Sequence, residues 1–294
     1  MQRELFSLLT RVVPRLPPRL TRPMATIAGA LLFRAADGMR ANAMENIAHL
    51  LDLPAEHRTV RRAALGACCT LVRNYVDMLT LTTLSATQVS ERTEVCGLEH
   101  LLSAQARGGG ALMASAHLGN ADQVGQALLV RGARCAVITE AVKPDWLFDF
   151  FARERSHFGG QVIPFTPGVL PQLQRVLREG MALGIACDWD MQGNGIPVDV
   201  GSRRGHVLRI PAGVALLALR SKAPIIPIFG ERLPDGRTRC HIEPELKIAP
   251  TGNVRADMQQ IAALIAGRML PRLRAHPEQW VLFHRVWEIA PGPA

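Results

Sequence analysis

The sequence predicts an α/β fold: a central, mostly parallel sheet flanked by helices, behind an N-terminal helical segment suited to a membrane surface. Two observations carry this. From about residue 94 onward, short apolar runs of strand length alternate with longer stretches of helical pattern, as expected for helices packed on a sheet. Before that point the alternation is missing and the chain reads as helices alone. A helical region therefore spans residues 1–90 and an α/β region 91–294. A chain of 294 residues is ample for a full core.

Residues 1–40 hold seven arginines and two acidic residues, interleaved with Leu5, Phe6, Leu8, Leu9, Val12, Val13, Leu16 and Leu20. Pro14, Pro17 and Pro18 cut this stretch, predicting a short helix, a kinked connection and a second helix from about Met24. Basic residues alternating with apolar ones describe a segment lying in a membrane interface; packing on its own domain is the alternative. Residues 41–84 read as two more helices, with Tyr75 placed against the core. Strands are expected at Ala111–Ala114, Cys135–Thr139, Gln161–Ile163, Ala182–Cys187, Ile225–Phe229 and Arg239–Ile242. Helices are expected near 121–131, 144–157, 168–179, 212–221 and 254–274. Pro211 suits a helix start, where its missing N–H would be unpaired anyway. The Pro-Gly-Pro-Ala tail reads as loose.

Hydrophobic residues make up 48% of the chain, yet no apolar run reaches the ~18 residues of a membrane-crossing helix. Arg11, Arg15, Arg19 and Arg22 interrupt the N-terminal region, and no small-residue cleavage site follows, which argues against a signal peptide. The net charge is +9 and the pI about 10.1, pointing to an anionic surface, either phospholipid or nucleic acid. All basic residues but Lys143, Lys222 and Lys247 are arginine. A GC-rich genome would explain that preference but not the sign of the charge. Cys68, Cys69, Cys96, Cys135, Cys187 and Cys240 lack Cys-x-x-Cys spacing and read as reduced core residues of a cytosol-facing protein.

The most informative stretch is Ala114-Ser115-Ala116-His117-Leu118-Gly119-Asn120-Ala121-Asp122. Residues five apart within one helix do not face each other. His117 and Asp122 can meet only if the histidine lies in a turn before a helix and the aspartate in its first turn. Gly119 eases such a turn, and Asn120 is a good N-cap. A carboxylate against an imidazole nitrogen fixes the tautomer and favours the protonated ring, as a general base requires. The pair suits removing a proton from a hydroxyl or amine.

Through this His-x4-Asp pattern the chain resembles the bacterial lysophospholipid acyltransferase superfamily. Within it, the chain is most similar to the branch of lipid A late acyltransferases and mycobacterial phosphatidylinositol-mannoside acyltransferases. Further blocks carry the likeness: Gly97-Leu98-Glu99-His100-Leu101, the bend Gly108-Gly109-Gly110, Arg209-Ile210-Pro211-Ala212-Gly213 and Leu219 to Pro227. At the end stand His276-Pro277-Glu278-Gln279-Trp280 and Phe283-His284-Arg285-Val286-Trp287. The segment Asn194 to Asp199 resembles the mannoside-acylating enzymes, although Val200-Gly201 replaces the aromatic-Gly pair expected next.

The resemblance implies that His117 deprotonates an acceptor hydroxyl, which attacks an acyl thioester carbonyl, while Asp122 orients the imidazole. It implies substrate-binding roles for Glu140 at a strand end, for Arg155 in an Arg-x3-Gly element, and for Asp188 and Asp190 after the strand at 182–187. Ordinary salt bridges are the alternative for Glu140 and Arg155, and capping for Asp188 and Asp190. The implied donor is acyl-CoA or acyl-ACP as co-substrate, with no other cofactor and no metal. Implied partners are anionic membrane lipid and possibly acyl carrier protein, not nucleic acid, at the cytoplasmic face of the inner membrane. Nothing in the sequence fixes the oligomeric state.

Other chemistries find no support. There is no Gly-x-Ser-x-Gly elbow, no phosphate loop, and His157, His206, His241 and His284 form no compact zinc spacing. Trp280, Phe283 and Trp287 read as packing. A competing reading, a basic non-enzymatic protein on an anionic membrane or nucleic acid, accounts for the charge but not for the His-x4-Asp turn.

Overall fold

The computed structural model describes residues 2–201 and 205–289. The tail at 291–294 and the side chain of Leu5 lie outside the described residues. Five helices come first: α1 (Gln2–Val12), α2 (Pro18–Ala35), α3 (Asp37–Leu51), α4 (Arg58–Met78) and α5 (Ala86–Arg92). Helix α2 begins six residues earlier than expected. Pro18 sits in its first turn, where a proline's missing N–H is harmless, and Pro23 follows without ending the helix.

Alternation then sets in with β1 (Thr93–Cys96), α6 (Leu98–Ala106), β2 (Ala111–Ser115), α7 (Ala121–Val130) and β3 (Cys135–Glu140). It continues through α8 (Asp145–Arg155), β4 (Gln161–Phe165), α9 (Leu170–Arg178) and β5 (Ala182–Ala186). After β6 (Ile196–Asp199) and β7 (His206–Ile210) come α10 (Ala212–Ser221), β8 (Ile225–Arg232), β9 (Thr238–Ile242), α11 (Val254–Ala275) and β10 (Trp287–Ile289). The main sheet has seven strands in the order β1-β9-β8-β2-β5-β3-β4, and only the β8–β9 pairing is antiparallel. A second, antiparallel sheet of β10, β7 and β6 was not foreseen. Its short strands carry no long apolar run, so their pairing depends on distant partners.

Strand pleating divides the core. On β2, Leu112 and Ala114 face one side, with Leu173 and Leu177 of α9, Val214 of α10 and Ile261 of α11. Ala111 and Met113 face the other, with Leu101 of α6 and Val124 and Leu128 of α7. Buried Ile47, Val60 and Cys68 of α3 and α4 join the first cluster together with Trp280. All six cysteines are free, and four are buried; Cys96 is exposed and Cys69 half-buried.

Helices α2 and α4 touch backbone to backbone at Gly29, where any added side chain would run into the Cα of Cys69. Gly29→Val should therefore destabilise the fold by about 1–3 kcal/mol through overpacking, read by urea or thermal unfolding. Unchanged stability would show that the two helices have room to separate.

Candidate active site

Strand β2 runs out at Ser115, and the chain turns through His117 into α7. Gly119 adopts φ +62, and a side chain there would lie 2.6 Å from the carbonyl oxygen of Gly230, so this turn requires glycine. Asn120 caps α7, its side chain accepting from the Gln123 N–H at 3.0 Å. The turn expected before the helix is present, with His117 ahead of it and Asp122 in its first turn.

The imidazole's partner is nevertheless not Asp122. His117 Nδ1 lies 2.9 Å from Asp188 Oδ1, and the His117 backbone N–H donates to Asp188 Oδ2 at 2.9 Å. The physical reason is sheet register. Strands β2 and β5 pair Ser115 with Ala186, and two residues further on the same offset brings His117 beside Asp188. Asp122 instead accepts from Arg155 Nε at 2.7 Å, and Arg155 Nη1 reaches Thr139 Oγ1 at 3.2 Å. Asp122 acts on the ring only at longer range, favouring its protonated form.

Asp188 is wholly buried and accepts a third bond, from Trp280 Nε1 at 2.8 Å. Sequence reading took Trp280 for packing; nothing in its neighbourhood showed that its N–H would meet a buried carboxylate. The segment around it clamps the motif loop. Gly119 N–H donates to the Gln279 carbonyl, Val281 N–H to the His117 carbonyl, and Leu118 bridges Trp280. From the other side, Asn74 of α4 donates to the Gly119 carbonyl at 2.6 Å, and Asp77 accepts from Asn120 at 2.9 Å and from Arg232 at 2.7 Å.

Burial alone would lower the His117 pKa, but the charge and hydrogen bond of Asp188 raise it above the ordinary histidine value. Burial likewise pushes Asp188 up, and His117 together with the Trp280 N–H holds it below the usual carboxylate range. The Asp188 contribution to stability is present above the unfolded carboxylate pKa and lost as pH falls through the depressed folded value. The His117 contribution is present below the unfolded imidazole pKa and lost as pH rises through the raised folded value.

A cavity of about 760 Å³ opens beside this pair, within the range of ligand sites. His117, 39% exposed, lies on its wall with Asn74, Tyr75, Asp122 and Arg155. Met113, Leu128, Leu173, Val214 and Leu217 make much of the remainder apolar. Tyr75 is not against the core as expected: it is 52% exposed and stacks on Phe151 at 6.2 Å, beneath Arg155. Its neighbours Asn74 and Asp77 take the inward positions, bonded to the motif loop and Arg232.

Glu140 ends β3 exposed, on the cavity lining. Asp190 also lines the cavity, but its carboxylate accepts the backbone N–H groups of Gln192 and Gly195, a turn-capping arrangement. His117, Asp122, Arg155 and Asp188 thus form two adjoining pairs, His117–Asp188 and Arg155–Asp122.

Replacing Trp280 by Phe keeps an aromatic ring, smaller by part of the indole, but removes the donor to Asp188, leaving a buried oxygen with one bond fewer. The expected cost is about 1–3 kcal/mol in thermal or urea unfolding. Acid unfolding should also move to higher pH, because the Asp188 pKa rises. Identical acid and urea transitions would show that the indole N–H is dispensable.

Comparison with known proteins gives consistent matches. The family model for bacterial lipid A biosynthesis acyltransferases matches residues 5–288. A phosphatidylinositol mannoside acyltransferase of Mycolicibacterium smegmatis is 27% identical over 229 residues, covering 77% of this chain and 71% of that protein. Its counterpart from Mycobacterium tuberculosis is 27% identical over 224 residues, 73% and 67% of the respective chains.

Proposed function

The chain belongs to the bacterial lipid A biosynthesis acyltransferase family, and from that premise we propose that it moves a fatty acyl chain from a thioester to a glycolipid hydroxyl. The non-enzymatic reading is set aside, since the family and the similar proteins are acyltransferases. A glycolipid acceptor is favoured by the two mannoside acyltransferases, a lysophospholipid being the broader class. The observation that carries the mechanism is an imidazole bonded to a buried carboxylate on the wall of a largely apolar cavity.

With Nδ1 donating to Asp188, neutral His117 holds its lone pair on Nε2. That nitrogen takes the proton of the acceptor hydroxyl as the oxygen attacks the thioester carbonyl. Collapse of the tetrahedral adduct breaks the C–S bond, and the imidazolium returns the proton to the departing thiolate. Asp188 stabilises the imidazolium throughout. The apolar walls suit an acyl chain, and the thioester is carried by CoA or an acyl carrier protein. Arg155, fixed by Asp122 and Thr139, keeps further N–H groups for a phosphate or the developing oxyanion. Glu140, exposed on the cavity lining, would contact the polar part of the acceptor, while both Asp190 oxygens cap their own turn.

The N-terminal helices suit a membrane surface. Leu20, Met24, Ile27 and Leu31 are exposed at a spacing that aligns them on one face of α2, and Leu8, Leu9 and Val12 are exposed on α1. Arg3, Arg11, Arg15 and Arg19 accompany them. Among the described residues no helix is long and apolar enough to cross a membrane, which is compatible with peripheral attachment.

His117→Ala should slow acceptor-dependent thiol release from an acyl thioester by about 10²–10⁴-fold. The melting temperature should also fall, because buried Asp188 loses its counter-charge, so turnover is compared at a temperature where both proteins are folded. Near-normal turnover would overturn the mechanism. In the wild type, kcat/KM should rise with pH through a limb above the ordinary histidine pKa, because the base acts neutral and its pKa is raised.

Deleting residues 1–22 should weaken co-sedimentation with anionic vesicles. Each arginine near such a surface contributes about 1 kcal/mol, and salt should remove only that part. Equal binding by both forms at low and high salt would show that the segment is not the anchor.

A further inference from the structure

A second cleft, about 1030 Å³ in volume, lies on the far side of the Asn74–Arg232–Asp77 layer from the catalytic cavity. Arg22, Arg62, Arg73, Arg92, Arg232 and Arg237 line it, against the carboxylates of Asp77, Glu231 and Glu278. Arg232 is balanced by Asp77 at 2.7 Å, and Arg237 by Glu94 and Asp235. Glu231 is bonded to His276 and Arg239. Asp77 and Glu231 are therefore committed to other cations, and Glu278 approaches His276 at 3.8 Å, so Arg62, Arg73 and Arg92 keep no carboxylate partner among the described residues.

Arg73 is the sharpest case. It rises half-buried from the middle of α4, and among the described residues its hydrogen bond runs from Nη2 to the neutral Thr26 Oγ1 at 2.8 Å. Its Nε–H is buried and unpartnered, as is the Nε–H of Arg232 on the same cleft. Among the described residues no carboxylate pairs with Arg73, Arg62 or Arg92. Arg62 and Arg73 are eleven residues apart, close to three helical turns, so both point to one side of α4. Arg22 enters from α2, its guanidinium packed over Gly236 in the β8–β9 turn. Half-buried guanidinium without a counter-charge is unfavourable unless an anion supplies it. Several planar forks converging on one polar space match the oxygens of a phosphate group.

We propose that this cleft binds a phosphate group. Its position fits a lipid headgroup: Thr21, Arg22 and Thr26 of α2 line it, while Leu20, Met24, Ile27 and Leu31 of the same helix are exposed. Free phosphate presents the same chemistry, so the test separates the two sources.

The soluble probe is inorganic pyrophosphate added to the full-length protein, read by isothermal titration and by saturable elevation of Tm. Arg73→Gln and the solvent-exposed Arg62→Gln should each weaken its binding by about tenfold, through loss of one charge-assisted contact. Arg220→Gln, on an exposed face of α10, should match wild type. The second probe is phosphatidylcholine vesicles containing phosphatidic acid. If the source is lipid, both cleft variants lose co-sedimentation as well. If the source is free phosphate, they lose only pyrophosphate binding. Wild-type protein without a saturable pyrophosphate response, or cleft variants that bind as tightly as Arg220→Gln, would overturn the proposal.

Discussion

A carboxylate with no exposure to water must be paired and fully hydrogen-bonded, or it destabilises the fold by several kcal/mol. Asp188 is such a group, and much of the molecule is arranged around satisfying it. One oxygen takes the His117 imidazole and the other takes the His117 backbone N–H and the Trp280 indole. These donors come from the end of β2 and from a segment more than ninety residues downstream. Parallel pairing of β2 with β5 fixes the first, and the return of the C-terminal segment over the motif loop fixes the second. In this way packing of the sheet and of the C-terminal segment is converted into the orientation of one ring.

The aspartate of the motif itself, Asp122, has a different task. Asp122 holds Arg155, a residue on another helix, and Arg155 lies over Phe151 and beside Tyr75 on the cavity wall. The five-residue spacing thus sets an imidazole and a guanidinium holder on adjacent parts of one turn, each ring or fork bonded to its own carboxylate. One carboxylate raises the basicity of the imidazole; the other fixes a cation where negative charge would gather in an acyl transfer.

The alternation of strand and helix was legible because each element leaves a local trace. Apolar runs such as Ala111–Ala114 and Cys135–Thr139 mark strands, and Asn120 and Gly119 mark the turn into α7 by their own capping and conformational properties. The sequence places Asp188 after the strand at 182–187 in a substrate-binding role, and gives the imidazole to Asp122 instead. Local spacing points to the nearest carboxylate, whereas register between strands more than sixty residues apart decides the actual partner. Trp280 and the outward turn of Tyr75 were missed for the same reason. An indole N–H or a phenol on a helix carries no sign in sequence of what will face it. The three-stranded sheet of β6, β7 and β10 rests on equally distant pairings.

Control of the His117 imidazole by Asp188 rather than Asp122 is the central expectation of this geometry. It is tested most directly by following the His117 ring through a pH titration by NMR in the wild type, Asp188→Asn and Asp122→Asn. The wild-type pKa should lie above the ordinary histidine value, since the charge and hydrogen bond of Asp188 outweigh burial. Asp188→Asn should bring it down below the ordinary value, because burial is then no longer offset. Asp122→Asn should lower it only slightly. A large fall in Asp122→Asn with little change in Asp188→Asn would contradict the account.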